Sequence, residues 1–372
     1  MRSRRSRQAG HGAVYAREPG RRPSSVGSRL ALLGVAVAWL AGACGGGGGS
    51  GSTGPDATPT PAVTPTPGFA RSLGFVVASF GFMFPETSDS GCPDGFNRGP
   101  IELASAGLPV PPDDCVDPGA APDPGFLTLQ SSGTLDGFDL DGGSSADSCE
   151  HAGFDGPAGE SGIDDQLWRA IGCIRGFQKG EVVDSVVESA VRDGSMTILV
   201  DVGDVDDPRN DDDIAVQVFA SREAPPLGAD GSVLPFGTLS IDPDPRFHGT
   251  VGRGRIVDGV LTAGPMDVRV RLNIQIVEGE LSFRDAYVRL AIAPDGSAKG
   301  GLHGYAPVDE VYDIFGRQAG TIGGKEALGY LCAGLRRALD AQADGGRDPA
   351  TGHCDSISTS YRLGGVPAFV AR

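Results

Sequence analysis

Val268-Arg-Val-Arg-Leu-Asn-Ile-Gln-Ile276 alternates apolar and polar residues without a break. A period of two puts successive side chains on opposite faces of a strand, so one face is buried and the other is wet, as in antiparallel sheets. The pattern continues outward. Gly279 follows, then Leu281-Ser-Phe-Arg runs into Ala286-Tyr-Val-Arg-Leu-Ala-Ile292. Pro294-Asp-Gly296 is a turn signal and leads to a short strand near Leu302. Further strands are expected at 73–80, 125–132, 196–203, 213–220, 236–241 and 254–262.

Three helices are expected. One covers Ile163 to Ile174, capped by Asp164 or Ser161. The second covers 180–192, where Val182, Val183, Val186, Val187, Ala190 and Val191 recur at helical spacing. The third, Lys325 to Ala343, lines up Leu328, Leu331, Leu335 and Leu339. Such a stripe packs on a sheet or touches a membrane; without a Lys/Arg polar face, the sheet is preferred. From Gly68 to Arg372 neither a repeat nor a second linker interrupts the chain. Its length suffices to bury about three quarters of the extended surface. The expectation is mainly β: an antiparallel, β-sandwich-like single domain over 68–372, with a few packed helices.

The first 43 residues read differently. Eight arginines face one acid, Glu18, and precede the apolar run Leu30 to Leu40. A basic segment followed by about ten apolar residues reads as a secretory signal, and the run is short of the roughly 20 residues that span a bilayer. It ends on Ala41-Gly42-Ala43-Cys44, which resembles the lipobox of bacterial lipoproteins, with Cys44 as the lipid acceptor. The other reading is a plain signal peptide with an incidental cysteine. Residues 44–67 are a Gly/Ser then Pro/Thr linker with a coil-like reach of roughly 25–30 Å. A multiply acylated cysteine anchors stably, each buried CH2 contributing about 0.8 kcal/mol. With Gly45 after the cysteine, the outer membrane is the expected location in a host with two membranes.

The whole chain carries a net charge of −17, and the basic leader makes the remainder more acidic still. That composition argues against nucleic acid and anionic headgroups as partners. It favours solubility and divalent cations. Six cysteines follow Cys44: Cys92, Cys115, Cys149, Cys173, Cys332 and Cys354. An even number in an exported chain reads as disulfides. Without a CxxC pair, zinc is the weaker alternative. Similar loop lengths suggest pairing neighbours, Cys92–Cys115, Cys149–Cys173 and Cys332–Cys354.

Two acidic clusters are candidate calcium sites, because calcium takes six to eight oxygens from such loops. One holds Asp136, Asp139 and Asp141, with Asp147 and Glu150 beyond. The other holds Asp204, Asp206, Asp207, Asp211 and Asp213, with Asp201, Asn210 and Asp212 alongside. Neither has EF-hand spacing, and a solvated acidic loop is the alternative for both. Catalytic signatures are sparse. There is no HExxH and no G-x-S-x-G. Ala319-Gly-Thr-Ile-Gly-Gly-Lys-Glu326 departs from a P-loop at both ends and reads as a Gly-rich turn. His151, His248, His303 and His353 each stand alone. Asp164-Asp165 could serve a glycosidase, which needs two carboxylates.

Cys92-Pro-Asp-Gly-Phe-Asn-Arg-Gly-Pro100, together with the stretch from His151 to Cys173, resembles uncharacterised secreted proteins and lipoproteins of proteobacteria, including myxobacteria. That group tends to read G-[IV]-D-N-Q, an aromatic, Arg and Gly-Cys, and Asp165 stands here in the place of the Asn. The resemblance implies export and a shared fold, and no activity. The expected function is a membrane-anchored binding or structural module engaging an envelope protein or polysaccharide. The alternative is an envelope hydrolase acting on glycans.

Overall fold

The computed structural model describes residues 71–86, 91–130, 133–142, 149–274 and 277–372. The leader, Cys44, the linker, Asp147, Gln275 and Ile276 lie outside them. The described residues belong to one compact unit. Among them no helix is long and apolar enough to cross a membrane.

The strands are β1 (Arg71–Phe82), β2 (Phe154–Asp155), β3 (Ser161–Ile163), β4 (Thr197–Val205), β5 (Asp211–Ser221) and β6 (Gly237–Ser240). They continue with β7 (Gly252–Val257), β8 (Val260–Ile274), β9 (Val277–Ile292), β10 (Ala298–Pro307), β11 (Gly345–Arg347) and β12 (Cys354–Ala371). The order β1-β4-β5-β7-β8-β9-β10-β12 is that of the chain, every step is antiparallel, and β12 returns to pair with β1. The sandwich-like packing of the sequence reading thus takes the form of one sheet closed on itself, an eight-stranded up-and-down barrel. Closure removes the unpaired edges that an open sheet presents.

Period-two patterning builds the interior. Along β8, Leu261, Ala263, Met266, Val268, Val270 and Leu272 are buried. They face Leu281, Phe283, Ala286, Val288 and Leu290 of β9 across a register that shifts near Met266. A second, smaller core lies outside the barrel wall, where Val76, Leu199, Phe219 and Ala368 meet Val233 and Leu239 of the 222–251 excursion. That excursion is pinned by Asp242, whose buried side chain bridges Arg222 and Arg271 at 3.0 Å each. Burial alone would raise this carboxyl, but the hydrogen bonds it accepts, led by that from Arg222, hold it below the ordinary value.

The two ends of the barrel differ. At one end the connections are short: 206–210, Asp258-Gly259 and 293–297. The 254–262 strand of the sequence reading breaks there, because Asp258 (φ +52°) and Gly259 (φ +82°) form the two-residue turn that an Asp-Gly pair favours. At the other end leave the long insertions 83–196 and 308–353. The first carries α1 (Pro100–Ser105), α2 (Gln166–Ile171) and α3 (Val182–Asp193). The second carries α4 (Val308–Tyr312), α5 (Gly324–Leu328) and α6 (Cys332–Gln342).

The helix expectations are corrected in detail. The helix expected over 163–174 starts at Gln166, because Asp165, rather than Asp164 or Ser161, accepts from the Trp168 N–H (3.1 Å) as N-cap. The 325–343 helix is two helices, broken at Gly329 (φ +87°). Its leucine stripe is buried within the protein. Residues 125–130 form no strand, 131 and 132 lie outside the described residues, and β12 was not expected at all.

The cysteines form three disulfides, as expected in number, but not between neighbours. The bonds are Cys92–Cys173, Cys115–Cys332 and Cys149–Cys354. The reason is topological: the two long insertions emerge at the same end and pack on each other. Two bridges therefore tie the first insertion to the second and to β12.

Candidate functional site

The barrel's insertion end is not filled by its own side chains. Phe80 and Phe82 at the end of β1, Leu272 and Leu281 on β8 and β9, and Tyr361 on β12 form the floor of a cavity of about 330 Å3. Its roof comes from two pieces of chain. Val183 and Val187 descend from α3, and Ile314, Phe315 and Leu328 come from the second insertion. Rings set much of the shape: Tyr361 stacks on Phe80 (4.8 Å) and Phe82 (5.2 Å), and Phe177 meets Phe315 edge-on (4.9 Å).

Local sequence explains why the roof leaves space. Asp313–Ala319 winds as a π-helix, Gly320–Ile322 as a 3-10 turn, and Gly323 (φ +100°) reverses the chain into α5. Irregular helical turns of this kind pack less regularly than α-helix and recur at functional sites. A side chain at Gly316 would collide with the Tyr312 ring, so the wide turn depends on glycine there. The P-loop-like stretch is part of this roof. Its Lys325 ammonium is held by Asp113 at 2.9 Å rather than offered to a phosphate.

Charge at the cavity is confined to one self-satisfied pair. Asp184 accepts from the Gly180 N–H (3.0 Å) and binds the Arg362 guanidinium, which also donates to the Phe82 carbonyl (2.9 Å). Val182 and Ile322 at the rim are exposed, at 46% and 52%. An apolar cavity of this size with few polar groups is the usual form of a small-molecule site, and the mouths of β-barrels are a usual place for one.

The acidic candidates separate. Asp139 and Asp141 come together with Asp164, with carboxylate oxygens within 4.8 Å of one another. Asp136 instead binds Arg289 (2.8 Å), which lies over the Phe138 ring. Asp164 accepts from the Leu140 N–H (2.7 Å), and burial, with Asp141 and Asp139 nearby, pushes its carboxyl up to about 7. Asp344, accepting from the Ser358 N–H (2.6 Å), is likewise pushed by burial up to about 7. Asp165 is raised well above the ordinary value, also by burial.

In the second cluster, Arg253 holds Asp204 and Asp213. Asp211 accepts from the backbones of Asp206, Asp207 and Asp213, and the first of these bonds chiefly holds its carboxyl low. Asp207 caps Arg209. These carboxylates act as turn caps, and no three of them converge. Among the described residues the other converging set is Asp113, Cys115 and Cys332, whose sulfurs are joined in a disulfide.

Asp164 and Asp165 are buried under α2 and β12, not displayed in a cleft. His303 is fully buried, with Nδ1 at 2.9 Å from the Ser360 hydroxyl, and burial pushes it down to about 3, so it is neutral. His248 and His151 contact the backbone carbonyls of Asp242 and Ala343. The motif around Cys92 is structural. Asn97 donates to the carbonyls of Leu127 and Cys173 and accepts from the Leu127 N–H, fixing three segments together.

Comparison of the chain with family models, with curated proteins and with solved structures gives no match.

Proposed function

We propose that this chain is an exported, membrane-tethered binding module of the cell envelope, and that its ligand is a small apolar molecule held at the barrel mouth. The observation that carries the reading is the 330 Å3 cavity, walled by aliphatic and aromatic side chains and roofed by two insertions that a disulfide binds together. Three disulfides are consistent with an extracytoplasmic compartment. The lipid on Cys44 and the outer-membrane location rest on the sequence of the leader and linker. The glycan-hydrolase alternative has less behind it, because its acid pair is buried and Asp165 is occupied as a helix cap.

The test is a titration of the purified chain with N-phenyl-1-naphthylamine, an uncharged apolar fluorophore, beside mass spectrometry of its organic extract. Binding is expected. Val187→Trp, which fills the cavity from the roof, is expected to weaken it on the order of tenfold, about 1.4 kcal/mol, with the fold retained. If wild type binds no probe and Val187→Trp simply melts higher, the cavity is a packing defect and the reading fails.

A further inference from the structure

The barrel end opposite the cavity carries a second apolar feature that the binding site does not use. Phe236 is 63% exposed and sits at φ +63°, a left-handed conformation that is strained for a bulky residue. The fold holds it there. Its N–H donates to the Pro367 carbonyl (2.5 Å), and from Gly237 onward the chain pairs in parallel with Ala368–Ala371 of β12. Phe369, two residues beyond Pro367 on that strand, is 60% exposed. Leu227 and Leu234, on the loop that leads into Phe236, are exposed as well. Single exposed apolar side chains need no explanation. Two phenylalanines, one on β12 and one just before the strand paired with it and held out by strained backbone, do.

Position supplies the occupant. Pro367 pairs with Phe75 of β1, so the aromatic pair lies beside the start of β1. That is where the chain arrives from Cys44. The linker's coil-like reach, roughly 25–30 Å, is shorter than β1 itself, whose 12 residues rise about 3.3 Å each. A fully extended linker reaches further, but at its mean reach the end carrying Arg71 lies nearer the bilayer than the cavity end. Building on the tethered reading proposed above, we infer that Phe236 and Phe369, flanked by Leu227 and Leu234, rest in the surface of the phospholipid bilayer that holds the lipid on Cys44, standing the barrel with its cavity mouth away from that membrane.

The charges nearby define the kind of surface. Arg372 is taken up by Asp201, and the 204–213 loop at this end carries more acids than bases. Attraction to anionic headgroups is therefore not the source of binding. Apolar insertion is, and zwitterionic phosphatidylethanolamine surfaces are preferred over anionic ones.

The experiment uses the full chain processed in cells and reconstituted into phosphatidylethanolamine vesicles containing bromine-labelled acyl chains. The indole introduced by Phe369→Trp reports the proposed contact, and that introduced by Val182→Trp, at the cavity rim, reports the far end. Flotation with the vesicles checks the tether. Three results are expected: bromine quenching in the Phe369→Trp protein beyond the wild-type signal, none beyond it in the Val182→Trp protein, and loss of the added quenching when Phe236→Ser is combined with Phe369→Trp. A Phe369→Trp protein that floats but shows no added quenching, or a Val182→Trp protein that is quenched instead, overturns the docking and leaves the tether standing. A chain that neither floats nor carries lipid on Cys44 overturns both. In free solution Phe236→Gly is expected to raise Tm by a few degrees, because glycine relieves the left-handed strain; an unchanged or lower Tm removes the strain from the argument.

Discussion

Replacing Cys115 and Cys332 together with serine is expected to destabilise the folded chain by about 4–5 kcal/mol and to lower Tm by on the order of 10 °C. The bridge joins residues 217 apart in sequence, and with Cys149–Cys354 intact the loop it closes runs from Cys115 to Cys149, across that bond, and from Cys354 back to Cys332. In the chain-entropy model a cross-link restricts the unfolded ensemble in proportion to the logarithm of the loop's length. The bond also fixes the roof of the cavity. It joins the 113–117 segment to the first residue of α6, and the neighbouring contacts depend on that junction. Tyr312 donates to the Cys115 carbonyl (3.1 Å), and Asp113 accepts from the N–H groups of Cys332 and Ala333. Loosening it releases the π-helical segment over the cavity, so apolar-probe affinity is expected to fall in the same variant. The matched control is Cys92→Ser with Cys173→Ser, which opens a loop of 81 residues within the first insertion alone. Its entropic cost is similar, but it leaves the bond between the two insertions intact. Urea melts of both variants without reductant decide the matter. A loss below about 1 kcal/mol for the Cys115/Cys332 variant, or equal loss of probe binding in both, would show that the bridge does not hold the roof.

The strands that carry period-two patterning were legible, and β8 with β9 is where the mainly β architecture could be seen. What could not be seen was closure. It depends on β12, where Ser356, Ser358 and Ser360 point outward yet are buried beneath the two insertions. Their groups receive the Gln166 N–H and meet His303, so the strand reads as polar on a face that is covered. Gly364-Gly365 and Pro367 add the look of a turn, although Gly364 is glycine because a side chain there would meet the Ser79 hydroxyl of the paired strand. The cavity was hidden for another reason. Val183, Val187, Leu272 and Leu328 are the residues a core would also use, and periodicity says which face is apolar, not whether its partners fill the space. Of the acidic sets, chain proximity brought Asp139 to Asp141, but Asp164 reaches them only through the fold. The neighbour pairing of cysteines failed for the same reason: spacing along the chain carries no information on which insertions share a barrel end.

The domain is expected to lose stability as pH rises from about 4 to 7. The sign follows from the buried carboxyls. Asp164 and Asp344 ionise near 3.8 in an unfolded chain and near 7 in the folded one, and Asp165 is raised in the same direction, each chiefly by burial. Across that window the folded protein holds protons that the unfolded chain has released. Unfolding therefore becomes easier with every step in pH until the folded groups ionise too. His303 works the other way. Pushed down to about 3 from 6.5, it is neutral in the fold while the unfolded chain carries the proton, and its contribution rises with pH. One histidine opposes three carboxyls, so the net slope stays negative. Below pH 4 the carboxyls held low by hydrogen bonds, such as Asp242 and Asp211, lose their contribution as they are protonated. Maximum stability is thus expected near pH 4, with a loss on the order of 5 kcal/mol by about pH 8. Asp164→Asn and Asp344→Asn keep neutral, hydrogen-bonding side chains in place and are expected to flatten the slope, most in the double variant, which removes both groups and the repulsion from Asp164 that helps to raise Asp344. Melting at pH 4.5, 6 and 8 is the measurement, with chelator present so that the charge term is read alone. Repeating the pH 8 melt in millimolar calcium separates an ion-free carboxyl cluster from an ion site: an ion on Asp139, Asp141 and Asp164 needs all three ionised, so it recovers Tm at pH 8 and leaves pH 4.5 unchanged. A Tm that climbs steadily from pH 4.5 to 8 in chelator would mean these acids are ionised in the fold, and that the neutral buried carboxyls between β12 and the two insertions do not exist.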